Sequence, residues 1–148
     1  MRPSGFTLAE SLLVMTVLGV VSAFGVPRIR HTMYSISVRS ARATVTTHAA
    51  KSRAAAVQRG CRSVLHVTPG SNGHVWVTAC ALRGAGRDTL GGVDPVAARF
   101  GVALVPSRDS IQYDPRGLSL ERAVATVGIS RGGVADSLMI NELGKVVR

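Results

Sequence analysis

Residues 6–26 form a run of 21 in which Glu10 is the only charged side chain, and few folds can take up such a run. At a helical rise of about 1.5 Å per residue it spans about 31 Å, close to the thickness of a bilayer's hydrocarbon. The run therefore predicts a membrane-spanning helix. A secretory signal peptide would carry a shorter apolar region ending in a small-x-small site. Ser22-Ala23-Phe24-Gly25 is a poor version of that site, so conventional cleavage near Gly25 stands as the alternative. Glu10 is the anomaly. A carboxylate deep in hydrocarbon costs on the order of 2.5–3.5 kcal/mol on insertion scales. Something must offset that cost.

The preceding residues, Met1-Arg2-Pro3-Ser4-Gly5, make a short polar leader. Were the chain cut between Gly5 and Phe6, the new α-ammonium would lie within about one helical turn of the Glu10 carboxylate, on the same chain or on a neighbouring one. Pairing would then offset the burial. A first-turn Glu also meets the positive end of the helix dipole, worth roughly 0.3–1 kcal/mol.

Gly5-Phe6-Thr7-Leu8-Ala9-Glu10 followed by an apolar helix resembles the class III signal of type IV pilins and of the pseudopilins of type II secretion. The resemblance implies a prepilin peptidase that cuts after Gly5 and methylates Phe6. It also implies that Glu10 guides assembly into a filament with other pilins or pseudopilins. Pro27 falls where many family members place a proline. Ala9 departs from the pattern, since a larger apolar residue is commoner there. Arg28 and Arg30 beyond the span against Arg2 before it would favour the reverse topology on a positive-inside count. The resemblance instead implies a single-pass protein of the bacterial inner membrane, associated with a filament, with its C-terminal domain periplasmic.

Between Arg28 and Gly60 there is no proline and no earlier glycine, and Tyr34, Val38, Ala41, Val45 and Ala49 recur at helical spacing. The helix is expected to continue as an amphipathic stem, kinked at Pro27 and stopped by Gly60, about 80 Å in all. The Thr and Ser content of the stem lowers its helix propensity, so contact with a sheet must hold it. The expected organisation is a leader at 1–5, a membrane and assembly helix at 6–26, a stem at 27–60 and a β-rich head at 61–148. The fold class is α+β, a long helix followed by a small antiparallel β-sheet domain.

Val64-Leu65-His66-Val67 and His74-Val75-Trp76-Val77 flank Pro69-Gly70-Ser71-Asn72-Gly73, a hairpin pattern. A turn centred near Gly70 and Ser71 would set Leu65 opposite Trp76 and Cys61 opposite Cys80. A disulfide closing a loop of about 20 residues is then sterically plausible, with two unpaired buried thiols as the alternative. Residues 83–92 read as connecting chain, 100–105 as a short apolar run, and further short strands are expected at 111–113, 123–129, 137–140 and 145–147.

The second half is similar to the FimT and GspH type of minor pilin and pseudopilin. The residues that carry the likeness are the Ala/Arg-rich stretch 40–59, the Tyr113 to Gly117 turn, and Ile140-Asn141-Glu142-Leu143-Gly144-Lys145. The likeness implies a low-abundance subunit near a filament tip. FimT-type members implicated in DNA uptake carry a C-terminal Gly-Arg-x-Arg element. Here Lys145 stands for the first Arg and Val147 for the second, with Arg148 one residue late. In a strand that shift sends the second charge to the other face. Lys145 and Arg148 are the candidate DNA contacts.

The side-chain charge is +10, and +9 without Arg2, carried by 16 Arg and 2 Lys. A basic protein on an export filament attracts DNA, lipopolysaccharide or an acidic subunit, and charge alone does not choose among them. Enzyme and cofactor patterns fail. Gly84-Ala85-Gly86 lacks the third glycine of a dinucleotide loop, and Gly144-Lys145 lacks both the leading Gly and the final Ser or Thr of a phosphate loop. His66 and His74, the one candidate metal pair, would point to opposite faces in the hairpin register above. The expectation is a non-enzymatic protein without a metal or cofactor.

Overall fold

The structure, a computed structural model, describes residues 7–82, 84–121 and 123–147. It divides into two compact units, Met1–Met33 and Tyr34–Arg148. One helix, α1 (Leu8–Arg59), contributes to both.

In the first unit the helix starts at Thr7, whose Oγ1 accepts the Glu10 backbone N–H at 3.3 Å. Hydroxyls within the apolar run bond back to the helix itself. Ser11 Oγ donates to the Thr7 carbonyl at 3.4 Å and Thr16 Oγ1 to the Leu13 carbonyl at 2.8 Å. The apolar side chains are exposed among the described residues, Leu8, Leu13, Met15, Leu18 and Val21 each by at least 60%.

In the second unit α1 behaves as its periodicity requires. Val38, Ala41, Val45, Ala49 and Ala56 are buried in the core and Ser52 with them, and these positions recur every three or four residues along one face. The helix ends where left-handed backbone is needed. Gly60 has φ 60° and the Cys61 N–H returns to the Ala56 carbonyl at 3.2 Å, the Schellman arrangement that satisfies the last carbonyls.

The head is built from β1 (Ser63–Val67), β2 (Val75–Cys80), β3 (Arg87–Thr89), α2 (Val96–Phe100), β4 (Ala103–Pro106), β5 (Ser110–Tyr113), β6 (Ala125–Arg131), β7 (Val134–Ile140) and β8 (Val146–Val147). They form two four-stranded antiparallel sheets, ordered β3-β2-β1-β5 and β4-β6-β7-β8. Strict alternation in β2 buries Val75, Val77 and Ala79. With Leu65, Leu104, Ile111, Tyr113, Ile129, Leu138 and Ile140, Val75 and Val77 share one core with the helix stripe. Each fully buried Leu or Ile contributes roughly 1.5–3 kcal/mol.

Three expectations are corrected. The hairpin register differs by one residue, with Leu65 facing Val77 and His66 facing Trp76. The Thr68 N–H bonds the His74 carbonyl at 2.9 Å, continuing that register, so His66 and His74 lie on the same face of the sheet and not on opposite ones. The cause lies outside the hairpin: Gly70 is drawn aside by paired backbone bonds with Leu104, at 2.8 and 3.1 Å. The stretch 83–92 contains β3, fully exposed, and the apolar run at 100–105 starts at the end of α2, which Gly101 ends at φ 61°, and continues into β4.

At the end of β5 the chain turns on Asp114. Its Oδ1 accepts the Arg116 and Leu118 N–H groups, each at 2.9 Å, and Oδ2 accepts Arg116 Nε at 3.0 Å. The Leu118 backbone bond, with Arg116, holds the Asp114 carboxyl below its ordinary value of 3.8 against the opposing effect of burial. A carboxyl depressed in the folded state stabilises the fold above its unfolded value, and that stabilisation is lost as pH falls through the folded value. Asp114→Asn should therefore lower stability at neutral pH and flatten its decline below pH 3.8, as read from denaturant midpoints across an acid series.

Candidate functional site

The residues at the N-terminal end of α1 carry a local logic of their own. Thr7 is the helix N-cap and Glu10 falls three positions into the first turn. This Thr-x-x-Glu spacing is a capping box, in which a Glu at that position is favoured by the free amides and by the helix dipole. The signal stood in the sequence, and it gives Glu10 a role in starting the helix besides any role toward a neighbour. Gly5 and Phe6, expected at the processing site, lie outside the described residues, as does Arg148.

Cys61 and Cys80 are joined by a disulfide, with Cα atoms 6.3 Å apart. The bond ties the chain just after α1 to the end of β2. Arg59 reinforces the junction, its Nη1 donating to the Cys80 carbonyl and lying 3.5 Å from Asp88 Oδ2.

A groove of about 510 Å³ runs along α1 in the second unit. Ala50, Ala54, Val57 and Val146 are among the residues lining it, with Arg53 and Lys145. Lys145 is exposed, and its backbone N–H is held by Asn141 Oδ1 at 2.8 Å. The turn that presents it needs Gly144, at φ 71°, where a β-carbon would lie 2.8 Å from Tyr113 Cε1. Tyr113 itself is fully buried, its hydroxyl without a hydrogen-bond partner among the described residues. Burial first, with a smaller contribution from Glu121 and an opposing one from Arg53, pushes its phenol up to about 12, so it stays neutral at physiological pH.

His48 on α1, Asp94 and Arg99 form the other polar cluster. Asp94 Oδ2 lies 3.3 Å from His48 Nε2 and 3.0 Å from Arg99 Nη2. The cluster ties the helix to the segment before α2. Among the described residues, no three His, Cys, Asp or Glu side chains gather as a metal site would require.

On the outer face of the first sheet, the imidazole of His66 stacks on the indole of Trp76, with ring centres 4.8 Å apart and planes 10° from parallel. His66 Nε2 also lies 3.1 Å from Thr78 Oγ1. The pair was hidden by the one-residue register difference, which had set Trp76 against Leu65.

No family model matches the chain. It is 26% identical to the pilin-like protein PilA1 of Thermus thermophilus over 98% of this chain and 97% of that protein. Its fold is similar to the type IV minor pilin FimU of Pseudomonas aeruginosa, with TM-score 0.58 at 11% identity over 74% of this chain and 86% of that one. A second crystal form of FimU gives 0.55 at 13% identity, over 74% and 90%. The long N-terminal helix followed by a small antiparallel β domain is the type IV pilin fold.

Replacing both Cys61 and Cys80 by Ser should cost about 3 kcal/mol in the chain-entropy account. The loss would be read as a lowered denaturant midpoint. A midpoint equal to that of the parent chain would mean that the bond contributes nothing to stability.

Proposed function

We propose that this type IV pilin-like chain is a minor subunit of an envelope filament, held in the bacterial inner membrane by its first helix and incorporated near the filament tip. The observation that carries the reading is the combination in α1: an uncovered apolar surface from Leu8 to Val21 with one carboxylate in its first turn. A bilayer covers such a surface before assembly, and helices of neighbouring subunits cover it afterwards.

Prepilin peptidase would remove residues 1–5 and methylate Phe6. Glu10, without a counter-charge in hydrocarbon, would make docking beside the terminal ammonium of an adjoining subunit favourable. The head, on this reading periplasmic, keeps its Cys61–Cys80 bond in an oxidising compartment. The protein acts through contacts and performs no reaction. The machine we favour is a type II secretion pseudopilus in which this subunit serves protein export. A type IV pilus subunit that contacts DNA through Lys145 and Arg148 is the second reading. It is favoured by the exposure of Lys145 beside Arg53 on the groove.

Glu10→Gln should leave the chain in the membrane fraction but deplete it from sheared filaments about tenfold or more, since breaking a buried ion pair costs on the order of 3–5 kcal/mol. Normal incorporation of that variant would reject the role of Glu10. Mass spectrometry of the mature chain should find a methylated Phe6 at the N-terminus, and an intact Met1 or a terminus after residue 26 would overturn the processing step.

A further inference from the structure

The outer face of the first sheet carries a composition unlike the rest of the head. By strand alternation, β1 presents Val64 and His66 there, β2 presents Trp76 and Thr78, β3 presents Arg87 and Thr89, and β5 presents Ser110 and Gln112. Val64 lies outside the core cluster, although it is buried. His66, Trp76, Thr78, Ser110 and Gln112 are half-buried, and the two β3 residues are exposed. No carboxylate occupies a strand position on this face. Asp88 faces Ala79, hence the other side, and is ion-paired with Arg59. The Asp109 carbonyl accepts the Val67 N–H, which gives Asp109 the inward parity as well.

The charge on the face is positive and the rings are flat. Arg87 is near enough to His66 to lower its pKa, after the larger effect of burial, so His66 stacks as a neutral ring at pH 7. Arg62, exposed, immediately precedes β1. Aromatic rings raised on a sheet and bordered by guanidinium groups match what an unpaired nucleic acid strand requires: a π surface for a base and cations for its phosphates.

The geometry points to a single-stranded nucleic acid contact on this face, with a base stacked on the His66–Trp76 pair and phosphates held by Arg87 and Arg62. A polyanion is the occupant that the charge selects, and the rings select one with exposed bases. The contact is separate from the C-terminal cations and does not depend on which filament the chain enters, so its failure would leave the assembly reading untouched.

Trp76 is the single tryptophan of the chain, which makes the contact directly readable. The full-length protein in zwitterionic detergent micelles is titrated with a twelve-nucleotide oligo-dT. Saturable quenching of Trp76 fluorescence is expected, weakening as salt rises. By anisotropy of a labelled oligonucleotide, Trp76→Leu should bind at least about fivefold more weakly, with Trp76→Phe retaining most of the affinity. Arg87→Gln, on an exposed strand that does not threaten the fold, should weaken binding and lower the log–log salt slope by roughly 0.7. Lys145→Gln with Arg148→Gln should leave the quenching intact. The proposal is overturned by any of three results: no binding at low salt, binding unchanged in Trp76→Leu and Arg87→Gln, or binding lost only when Lys145 and Arg148 are neutralised. Preference for duplex DNA without quenching would overturn it equally.

Discussion

The head is organised by one contact, the stripe of small residues through which the second half of α1 lies on the β core. Ala41, Val45 and Ala56 have no exposed surface, and Val38 and Ala49 have almost none. Alanine at such positions lets a helix approach strands closely. It also has the highest helix propensity, which compensates for Thr44, Thr46 and Thr47 on the other faces. Those threonines bond back to carbonyls four residues earlier, at 2.9–3.0 Å, so they leave no unsatisfied hydroxyl. Where the stripe meets polar groups the contact is closed by hydrogen bonds: Ser52 with Ser63 at 2.9 Å, and Arg131 with Ser37 and the Phe100 carbonyl at 2.7 and 2.6 Å.

Leu8 to Val21 obey the opposite rule. The same helix that buries alanines in its second half displays leucines, valines and methionine in its first half, all of them exposed among the described residues. Burying a Leu or Val side chain is worth roughly 1.5–3 kcal/mol, so this segment has a standing drive to find hydrocarbon or other helices. Division of labour within α1 follows from side-chain size: small residues where the chain packs on itself, large ones where it must pack on something else.

How much of this was readable beforehand depends on how far each signal reaches along the chain. The stripe from Val38 to Ala49 is a local 3.6-residue pattern and the alternation of β2 a local two-residue pattern, and both were legible. Cys61 and Cys80 come together although the register differs by one from what the turn residues imply, because a disulfide tolerates a range of Cα separations while side-chain facing tolerates no slip at all. The slip arose because Gly70 bonds Leu104, 34 positions further along, and nothing within the turn encodes that. Exposed β3 shows no alternation to read, and α2, at five residues, is too short for helical periodicity. The His66–Trp76 stack was lost with the register, so the part of the surface richest in chemistry was the part least visible in the sequence.

The distribution of charge bears on the number of copies a filament can hold. Five of the eight carboxylates are engaged in ion pairs inside the described head, Asp88, Asp94, Asp114, Glu121 and Asp136, each with an arginine. What remains for the outside is a surplus of arginine, including Arg39, Arg53, Arg62 and Arg87, for which no acidic partner lies among the described residues. Exposed charges are screened beyond about 8 Å at physiological ionic strength, but subunits packed side by side bring their surfaces closer than that. A polymer of identical chains of this kind would therefore accumulate positive charge along its length. One such chain among less basic subunits meets no such accumulation, and a polyanion or an acidic neighbour would be drawn to it. Charge thus supports, apart from any likeness in fold, the proposal of a subunit used sparingly.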